Sequence, residues 1–369
     1  MNAATPSLFG ITHSNRQFAD AYYWGKNQFN SAFPAALACY MRSRDLPLIY
    51  VKYHDQSRTD ISQIAVTDVF GSSLANEALY FAFESRFDAF RNLVHDDLPA
   101  IDLIICSDSP RAQIKPLEIK LTVLPDNTTE SLSEDRYGAE LVIRSATSRY
   151  MALSMAQSVQ TRHGEVRQIF EGAFAKIRDW DSISEMLQAA PAAISALEIF
   201  LSKFRDYQTP LLLQPIWKTA GKSPALAEHC LDIFVWSDFA LAHLFLDSAR
   251  NAATGGNISR QLRTALRLSR FIYECSRGDK VYQAPIFDGM TYDLQNDKEF
   301  AISGTKSRGL MMCDRLIKPA VTKHEIKNII LGGGQKYLRP ELRFDRKCAQ
   351  SPFTHLFSNS IVRLLARHA

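Results

Sequence analysis

Residues 101–126, IDLIICSDSPRAQIKPLEIKLTVLPD, contain two runs of strand-forming apolar residues on either side of a turn-forming segment, SDSPRAQIK. Asp102 lies at the start of the first run, and Glu118 and Lys120 lie within the second. Because successive side chains of a strand point to opposite faces, one face of the second strand is apolar and the other carries Glu118, Lys120 and Thr122. The segment therefore predicts a hairpin with charged side chains on one face of a sheet.

Pairing of these two strands would bring the carboxylate of Asp102 beside that of Glu118. Two neighbouring carboxylates repel each other unless a cation lies between them, and Mg²⁺ suits this position because it prefers oxygen ligands and retains several waters. The backbone carbonyl of Ile119 would supply a further ligand. Lys120 would orient the attacking water and offset the charge that develops on a phosphate. The pattern favours metal-dependent hydrolysis of a nucleic-acid backbone, and a half-exposed strand with solvated Glu and Lys side chains is the alternative.

Helical and strand patterns alternate along the rest of the chain. Helices are predicted over residues 28–44, 72–94, 237–252 and 258–277, and over most of 146–206 with a break or a helix start at Pro191. Strands are predicted at residues 47–53, 211–217 and 231–236, and in the segment AELVIRS. This mixture predicts an α/β fold with a mixed central sheet flanked by helices.

The charge of the chain is distributed unevenly. The total is +4, whereas residues 301–369 hold 13 Lys and Arg against 4 Asp and Glu, a balance of +9 that leaves −5 for residues 1–300. Such an asymmetry favours a polyanionic partner near the C-terminal part, and a solvated basic surface is the alternative.

Three segments are candidates for contacts with DNA. In ISRQLRTALRLSR, four arginines at helical spacing would form one basic stripe for phosphate contacts: Arg260, Arg263, Arg267 and Arg270. The segment LGGGQKYLRPELRFDRK combines a glycine run with residues that read bases or bind phosphates, Gln335, Lys336, Arg339 and Arg343. Near the start, Lys26 and Asn27 lie beside aromatic residues. A solvated helix face, an exposed loop and a helix start are the respective alternatives.

The acids and the lysine resemble the signature of the PD-(D/E)XK nuclease superfamily, although Pro99 precedes Asp102 by three positions rather than one. The segments LFGITHSNRQFADAYYWGKNQFNSAFPAALACYM, LLLQPIWKT and DIFVWSD are similar to blocks of a type II restriction endonuclease family, that of HindVP. This resemblance implies a PD-(D/E)XK core in residues 1–255, with N-terminal elements and a helical insertion. Residues 256–369 would form a basic DNA-binding elaboration, or the two parts would form one continuous domain.

The same resemblance implies a function and partners. It implies Mg²⁺-dependent double-strand cleavage of DNA at a short palindromic site, GRCGYC, by a homodimer that has a companion DNA methyltransferase. Asp102, Glu118 and Lys120 would be the catalytic residues, with Asp102, Glu118 and Ile119 as metal ligands. Glu84, expected on a helix before the hairpin, would aim a further acid at the metal, and a solvated position beside Arg86 is the alternative. A DNA-repair or RNA-processing nuclease with the same core, or a nucleic-acid-binding protein without catalysis, remains open.

The sequence gives less support to other enzyme classes and to a secreted or membrane-spanning protein. The HExxH, GxSxG and dinucleotide glycine motifs are absent, and the six cysteines have no CxxC spacing. The cysteines therefore read as reduced thiols that mostly fill the core. No secretory signal pattern and no apolar run of membrane-spanning length is present, so we expect a cytoplasmic protein.

Overall fold

The computed structural model describes residues 45–55, 58–65, 67–68, 79–108, 111–121, 141–204, 210–214, 217–220, 223–226, 234–237, 242, 246, 249–295 and 299–302. Within these ranges the strands are β1 (Leu48–Asp55), β2 (Arg58–Ile64), β3 (Leu79–Ser85), β4 (Ile101–Asp108), β5 (Arg111–Leu117), β6 (Ile119–Leu121), β7 (Leu141–Ile143), β8 (Pro210–Gln214), β9 (Trp217–Ala220), β10 (Ser223–Leu226), β11 (Phe234–Ser237) and β12 (Phe300–Ile302). The helices are α1 (Ser145–Ser158), α2 (His163–Phe174), α3 (Ile183–Lys203), α4 (Arg260–Cys275) and α5 (Ala284–Phe287). Asp88–Asn92 and Gln160–Arg162 form short 3₁₀ helices, and residues 249–254 are also helical. This is the α/β class that the sequence predicts.

β3, β4 and β5 form an antiparallel sheet with β4 in the centre. The β4–β5 hairpin confirms the predicted pairing, but its strands are longer than expected, because most of SDSPRAQIK belongs to the strands rather than to a turn. The middle of β4, residues 103–106, is a continuous apolar run because both faces of the strand are covered there: Leu103, Ile104 and Ile105 are all fully buried.

The helix predicted over residues 72–94 is wrong where the structure describes this segment. Residues 79–85 form β3, and Asp88–Asn92 form a 3₁₀ helix. The sequence of β3, LYFAFES, is rich in aromatic residues, which favour strands, and its pairing with β4 outweighs the helical spacing of the surrounding apolar residues.

A second, mixed sheet has the strand order β2-β1-β11-β8-β6. β1 pairs with β11 in parallel and β6 pairs with β8 in parallel, whereas the other two pairings are antiparallel. The strands predicted around residues 47–53, 211–217 and 231–236 are confirmed as β1, β8 and β11. β5 and β6 are separated by Glu118 alone, so the chain passes from one sheet to the other at this residue. Two further pairs of strands, β9 with β10 and β7 with β12, complete the described strands.

The helices pack around an aromatic core. The Phe170 ring of α2 lies 5.8 Å from that of Phe200 in α3, and the Phe174 ring lies 5.5 Å from that of Tyr273 in α4. Pro191 lies inside α3, which corrects the expected break, because buried residues on both sides of the proline hold the helix in the core. The same core includes residues on both sides of position 255, and the division into residues 1–255 and 256–369 stays a prediction.

Two further properties concern the described residues only. Cys106 and Cys275 are both buried, as expected of core cysteines. None of the described helices has both the length and the apolar character needed to cross a membrane.

Candidate active site

The β4–β5 register determines where the first two predicted acids lie. Leu103 is opposite Leu117, so continuing the antiparallel register by one residue places Asp102 opposite Glu118. Opposite residues of an antiparallel pair point to the same face, with Cβ atoms about 4.5–5.5 Å apart. Asp102 is half-buried and Glu118 is 6% exposed. The backbone therefore places two acidic residues side by side where the hairpin joins the mixed sheet.

Glu84 lies on a strand and not on the predicted helix. In the β3–β4 register, Phe83 is opposite Leu103 and Ser85 is opposite Ile101, so position 84 is opposite Asp102. This segment is a strand and not a helix because β3 is rich in aromatic residues and pairs with β4. Three acidic positions therefore follow one another across the sheet, on β3, on β4 and immediately after β5.

Glu118 contacts the first turn of α1. Thr147 donates a hydrogen bond from its hydroxyl to Glu118 Oε1 across 2.9 Å, and Thr147 is 3% exposed. One turn further along the helix, the hydroxyl of Tyr150 donates to the carbonyl of Pro116 across 3.5 Å. Because a buried carboxylate is costly unless it is hydrogen-bonded, this contact helps Glu118 to remain inside the fold.

Ile119 and Lys120 belong to β6. Their backbones pair in parallel with Leu212 and Leu213 of β8. The sequence predicts one strand that carries both the acid and the lysine of the E-x-K motif. This is corrected by the structure, because β5 ends before Glu118 and β6, which contains Lys120, begins after it. This break puts Glu118 at the boundary between the two sheets.

The described side chains include no cluster of three or more His, Cys, Asp and Glu residues suited to holding a metal ion. The predicted site is of a different kind. Two carboxylates and a backbone carbonyl would leave the remaining positions to water and phosphate oxygens, which is the usual arrangement for Mg²⁺. The oxygen-only donor set of Asp102, Glu118 and the Ile119 carbonyl fits this ion.

Comparison with known proteins identifies the family. The HindVP restriction endonuclease family matches residues 24–357. The chain belongs to this family. It is 40% identical over 347 residues to the type II restriction enzyme HgiDI of Herpetosiphon aurantiacus, covering 94% of this chain and 96% of the relative. It is 37% identical over 340 residues to the probable type II restriction enzyme HindVP of Haemophilus influenzae, covering 92% of each. No solved structure matches the chain significantly.

Membership of the HindVP restriction endonuclease family makes the chain a nuclease, with DNA as the class of substrate. The restriction enzyme names of both relatives agree with the expectation from the sequence blocks quoted above. Gln335, Lys336, Arg339, Arg343, Lys26 and Asn27 all fall within the matched residues 24–357, but they lie outside the residues that the structure describes.

The predicted arginine stripe of this family member is divided by the fold. Arg263 and Arg267 are fully buried, which corrects the expectation that they face DNA. Arg267 binds Glu299 across 2.5 Å and donates to the carbonyls of Gly289 and Met290, at 2.6 and 3.1 Å. These two arginines and Glu299, here called the arginine clamp, hold a loop at residues 288–295. Arg263 and Arg267 are buried because α4 is a central helix, with buried residues on nearly all of its sides.

The other two arginines of α4 have different surroundings. Arg270 donates to Glu274 across 2.6 Å, and its guanidinium lies 4.5 Å from the ring centroid of Trp180. Both contacts are with residues of this chain, and they hold the Arg270 side chain against its own fold. Arg260, in the first turn of α4, is partly exposed, and a role for it in DNA binding stays a prediction.

Thr147 and Glu299 are two residues that the sequence reading did not single out. Thr147 lies in an ordinary helical stretch, and only the neighbourhood of Glu118 gives its hydroxyl a role. Glu299 is a single acid before a three-residue strand, β12, and its partner Arg267 is 32 residues away in the chain. Neither contact can be predicted from a local sequence pattern, because the two residues in each contact are far apart in the chain.

Proposed function

We propose that this chain is a Mg²⁺-dependent type II restriction endonuclease whose active site lies at the junction of β4, β5 and β6. The observation that carries the proposal is the β4–β5 register, which sets Asp102 opposite Glu118 at the boundary between the two sheets. Membership of a restriction endonuclease family supports the reaction class. The PD-(D/E)XK core is part of the proposal, supported by the hairpin and the mixed sheet that continues from it.

The protein groups have distinct roles in the proposed reaction. Asp102, Glu118 and the carbonyl of Ile119 would hold the ion, and Glu84 is a further candidate because its backbone position is opposite Asp102. Bound Mg²⁺ would polarise the phosphate and lower the pKa of a bound water. Lys120 would orient the attacking water and balance the negative charge on the phosphate as the phosphorus–oxygen bond to the leaving group breaks.

We also propose the recognition sequence GRCGYC and the assembly that a palindromic site favours. A two-fold symmetric site presents the same scissile bond on each strand, so two copies of one active site would cut both strands. The companion methyltransferase would protect host DNA that contains the same sequence, without forming a complex with this chain.

Plasmid cleavage tests the proposal directly. Full-length protein is incubated with a plasmid that carries GRCGYC sites, in Mg²⁺ or in EDTA. We expect discrete fragments that map to these sites in Mg²⁺ and intact plasmid in EDTA. Lys120→Ala should abolish cleavage while DNA binding in EDTA persists. The matched control Lys176→Ala changes an exposed lysine just after the end of α2 and should cut normally.

Each alternative predicts a different outcome. A smear of fragments would indicate a nuclease without sequence specificity, and fragments from other sites would reject GRCGYC. Binding without any cleavage would indicate a nucleic-acid-binding protein. Full activity of both Glu118→Gln and Asp102→Asn would contradict the proposed metal site.

A further inference from the structure

The hydroxyl of Thr147, in the first turn of α1, donates to a side chain and not to the backbone of its own helix. A helical serine or threonine commonly donates to the carbonyl four residues earlier, as Ser158 does to Ser154 across 2.8 Å. For Thr147 the residue four positions earlier is Ile143, which belongs to β7 and not to the helix, and its carbonyl accepts the backbone N–H of Glu299 across 3.0 Å. The hydroxyl of Thr147 donates to Glu118 instead.

Thr147 is buried in the first turn of α1. Tyr150 and Met151 on the same helix are fully buried, and Thr147 itself is 3% exposed. A valine or an alanine would fill such a position without the need to satisfy a hydroxyl group. The hydroxyl therefore matters through its hydrogen bond with Glu118, in which the hydroxyl is the donor and the carboxyl oxygen is the acceptor.

Two contacts fix α1 against the end of the hairpin. Thr147 binds the side chain of Glu118, and Tyr150 binds the backbone of Pro116, two residues earlier. The two helix residues are three apart, so they lie on the same face of α1. The position of the Glu118 carboxylate is thus set both by its own backbone and by a helix that packs into the core.

We propose that Thr147 is a positioning residue that orients Glu118 for metal binding. This inference rests on the proposed function, because it assumes that Glu118 is a metal ligand. Thr147 would contact neither DNA nor the ion. It would hold the Glu118 side chain in one rotamer, so that the carboxylate has the orientation needed for metal binding before the ion binds. Loss of such an outer partner typically lowers metal affinity or activity about 10- to 100-fold.

The experiment measures Mn²⁺ binding to the full-length protein by isothermal titration calorimetry, alongside the Mg²⁺ dependence of plasmid cleavage. Thr147→Val keeps the shape of the side chain and removes the hydroxyl, and Thr147→Ser keeps the hydroxyl. Thr254→Val is the control, since Thr254 is exposed and its hydroxyl donates to the carbonyl of Asn251 in its own helix across 3.0 Å. Glu118→Gln defines the complete loss of the ligand.

We expect Thr147→Val to weaken Mn²⁺ binding and to raise the half-saturating Mg²⁺ concentration about 10- to 100-fold. The KM for DNA should stay unchanged, and the rate should recover partly at high Mg²⁺. Thr147→Ser and Thr254→Val should behave like the wild type. A purely structural role would lower the melting temperature without this change in metal dependence.

Wild-type Mn²⁺ affinity in a folded Thr147→Val protein, together with loss of binding in Glu118→Gln, would overturn the positioning role and leave the metal site intact. Unchanged binding and cleavage in Glu118→Gln would overturn the proposed site, and the role of Thr147 with it. If Thr147→Val does not fold, Thr147→Cys replaces it, because a thiol is a weak donor of similar shape. Thr147→Cys should then bind Mn²⁺ more weakly than Thr147→Ser, and equal affinities would overturn the inference.

Discussion

Arg267 donates a hydrogen bond to Glu299 across 2.5 Å, and neither side chain has any exposed surface. Glu299 also accepts from the hydroxyl of Thr264, and its backbone N–H donates to Ile143 at the end of β7. The pair therefore joins α4 to the β7–β12 sheet, immediately before the start of α1. Since Thr147 belongs to the first turn of α1, the arginine clamp helps to fix the helix that contacts Glu118.

Glu299→Ala should strongly destabilise the fold. Removal of one partner from a buried ion pair leaves the other charge uncompensated and costs about 3–5 kcal/mol. The measurement is urea unfolding followed by circular dichroism. Glu198→Ala is the matched control, because the Glu198 carboxylate pairs with Arg250 across 2.8 Å with both side chains about half exposed. Such a surface pair is worth about 0–1 kcal/mol, so equal losses in the two variants would contradict the role of the clamp.

The helix that carries the arginine clamp could be predicted from the sequence, but the contacts of the clamp could not. The spacing of the four arginines correctly predicts a helix over residues 258–277, realised as Arg260–Cys275. The spacing does not show that the basic face is covered as well as the apolar one. That depends on Glu299 and on the carbonyls of the loop at residues 288–295, which are distant in the chain from α4.

The β4–β5 hairpin, unlike the contacts of the arginine clamp, could be predicted from the sequence. Its two strands are adjacent in the chain, and the alternation of side chains around Asp102 and Glu118 specifies which residues face each other. The break at Glu118 was not predictable, because it depends on pairing of β6 with β8, about ninety residues later in the chain. The strand character of Leu79–Ser85 likewise depends on its partner β4.

Gly289→Ala should lower stability. A Cβ atom at this position would overlap the carbonyl oxygen of Pro285, which belongs to α5 and has little room to move. The Gly289 carbonyl also accepts a hydrogen bond from Arg267, so a shift of the backbone would disturb the clamp. Overpacking of this kind costs about 1–3 kcal/mol.

The chain offers a matched control for this glycine. Gly172 lies in α2, is exposed, and has no atom within 4 Å of an added Cβ. Gly172→Ala should therefore stabilise the protein by about 0.5–1 kcal/mol, through helix propensity. Thermal unfolding of both variants is the measurement, and destabilisation by Gly172→Ala or tolerance of Gly289→Ala would contradict these local environments.

Cys275 should react slowly with alkylating reagents in the native protein. Burial raises the pKa of the Cys275 thiol well above its usual range, with a smaller contribution in the same direction from Glu274. Because the thiolate is the reactive form, labelling of this residue should stay slow even when the pH rises from 7 to 9. Mass spectrometry of peptides after iodoacetamide treatment measures the extent of labelling, and the same protein in urea gives the unprotected rate. Rapid native labelling at pH 7 would show that this part of the core opens readily.

The divided arginine stripe gives a final prediction, on DNA binding in EDTA. Arg263 donates to the backbone carbonyls of Thr291, Leu294 and Gln295. Arg263→Lys loses this forked geometry and should lower the melting temperature, but it should leave the dependence of DNA affinity on salt unchanged. Arg260→Ala should keep the melting temperature and, if Arg260 contacts a phosphate, reduce the slope of log affinity against log salt by about 1. Fluorescence anisotropy with a labelled duplex at several salt concentrations measures both slopes. A reduced slope for folded Arg263→Lys would mean that this buried arginine reaches DNA after all, and an unchanged slope for Arg260→Ala would limit α4 to a structural role.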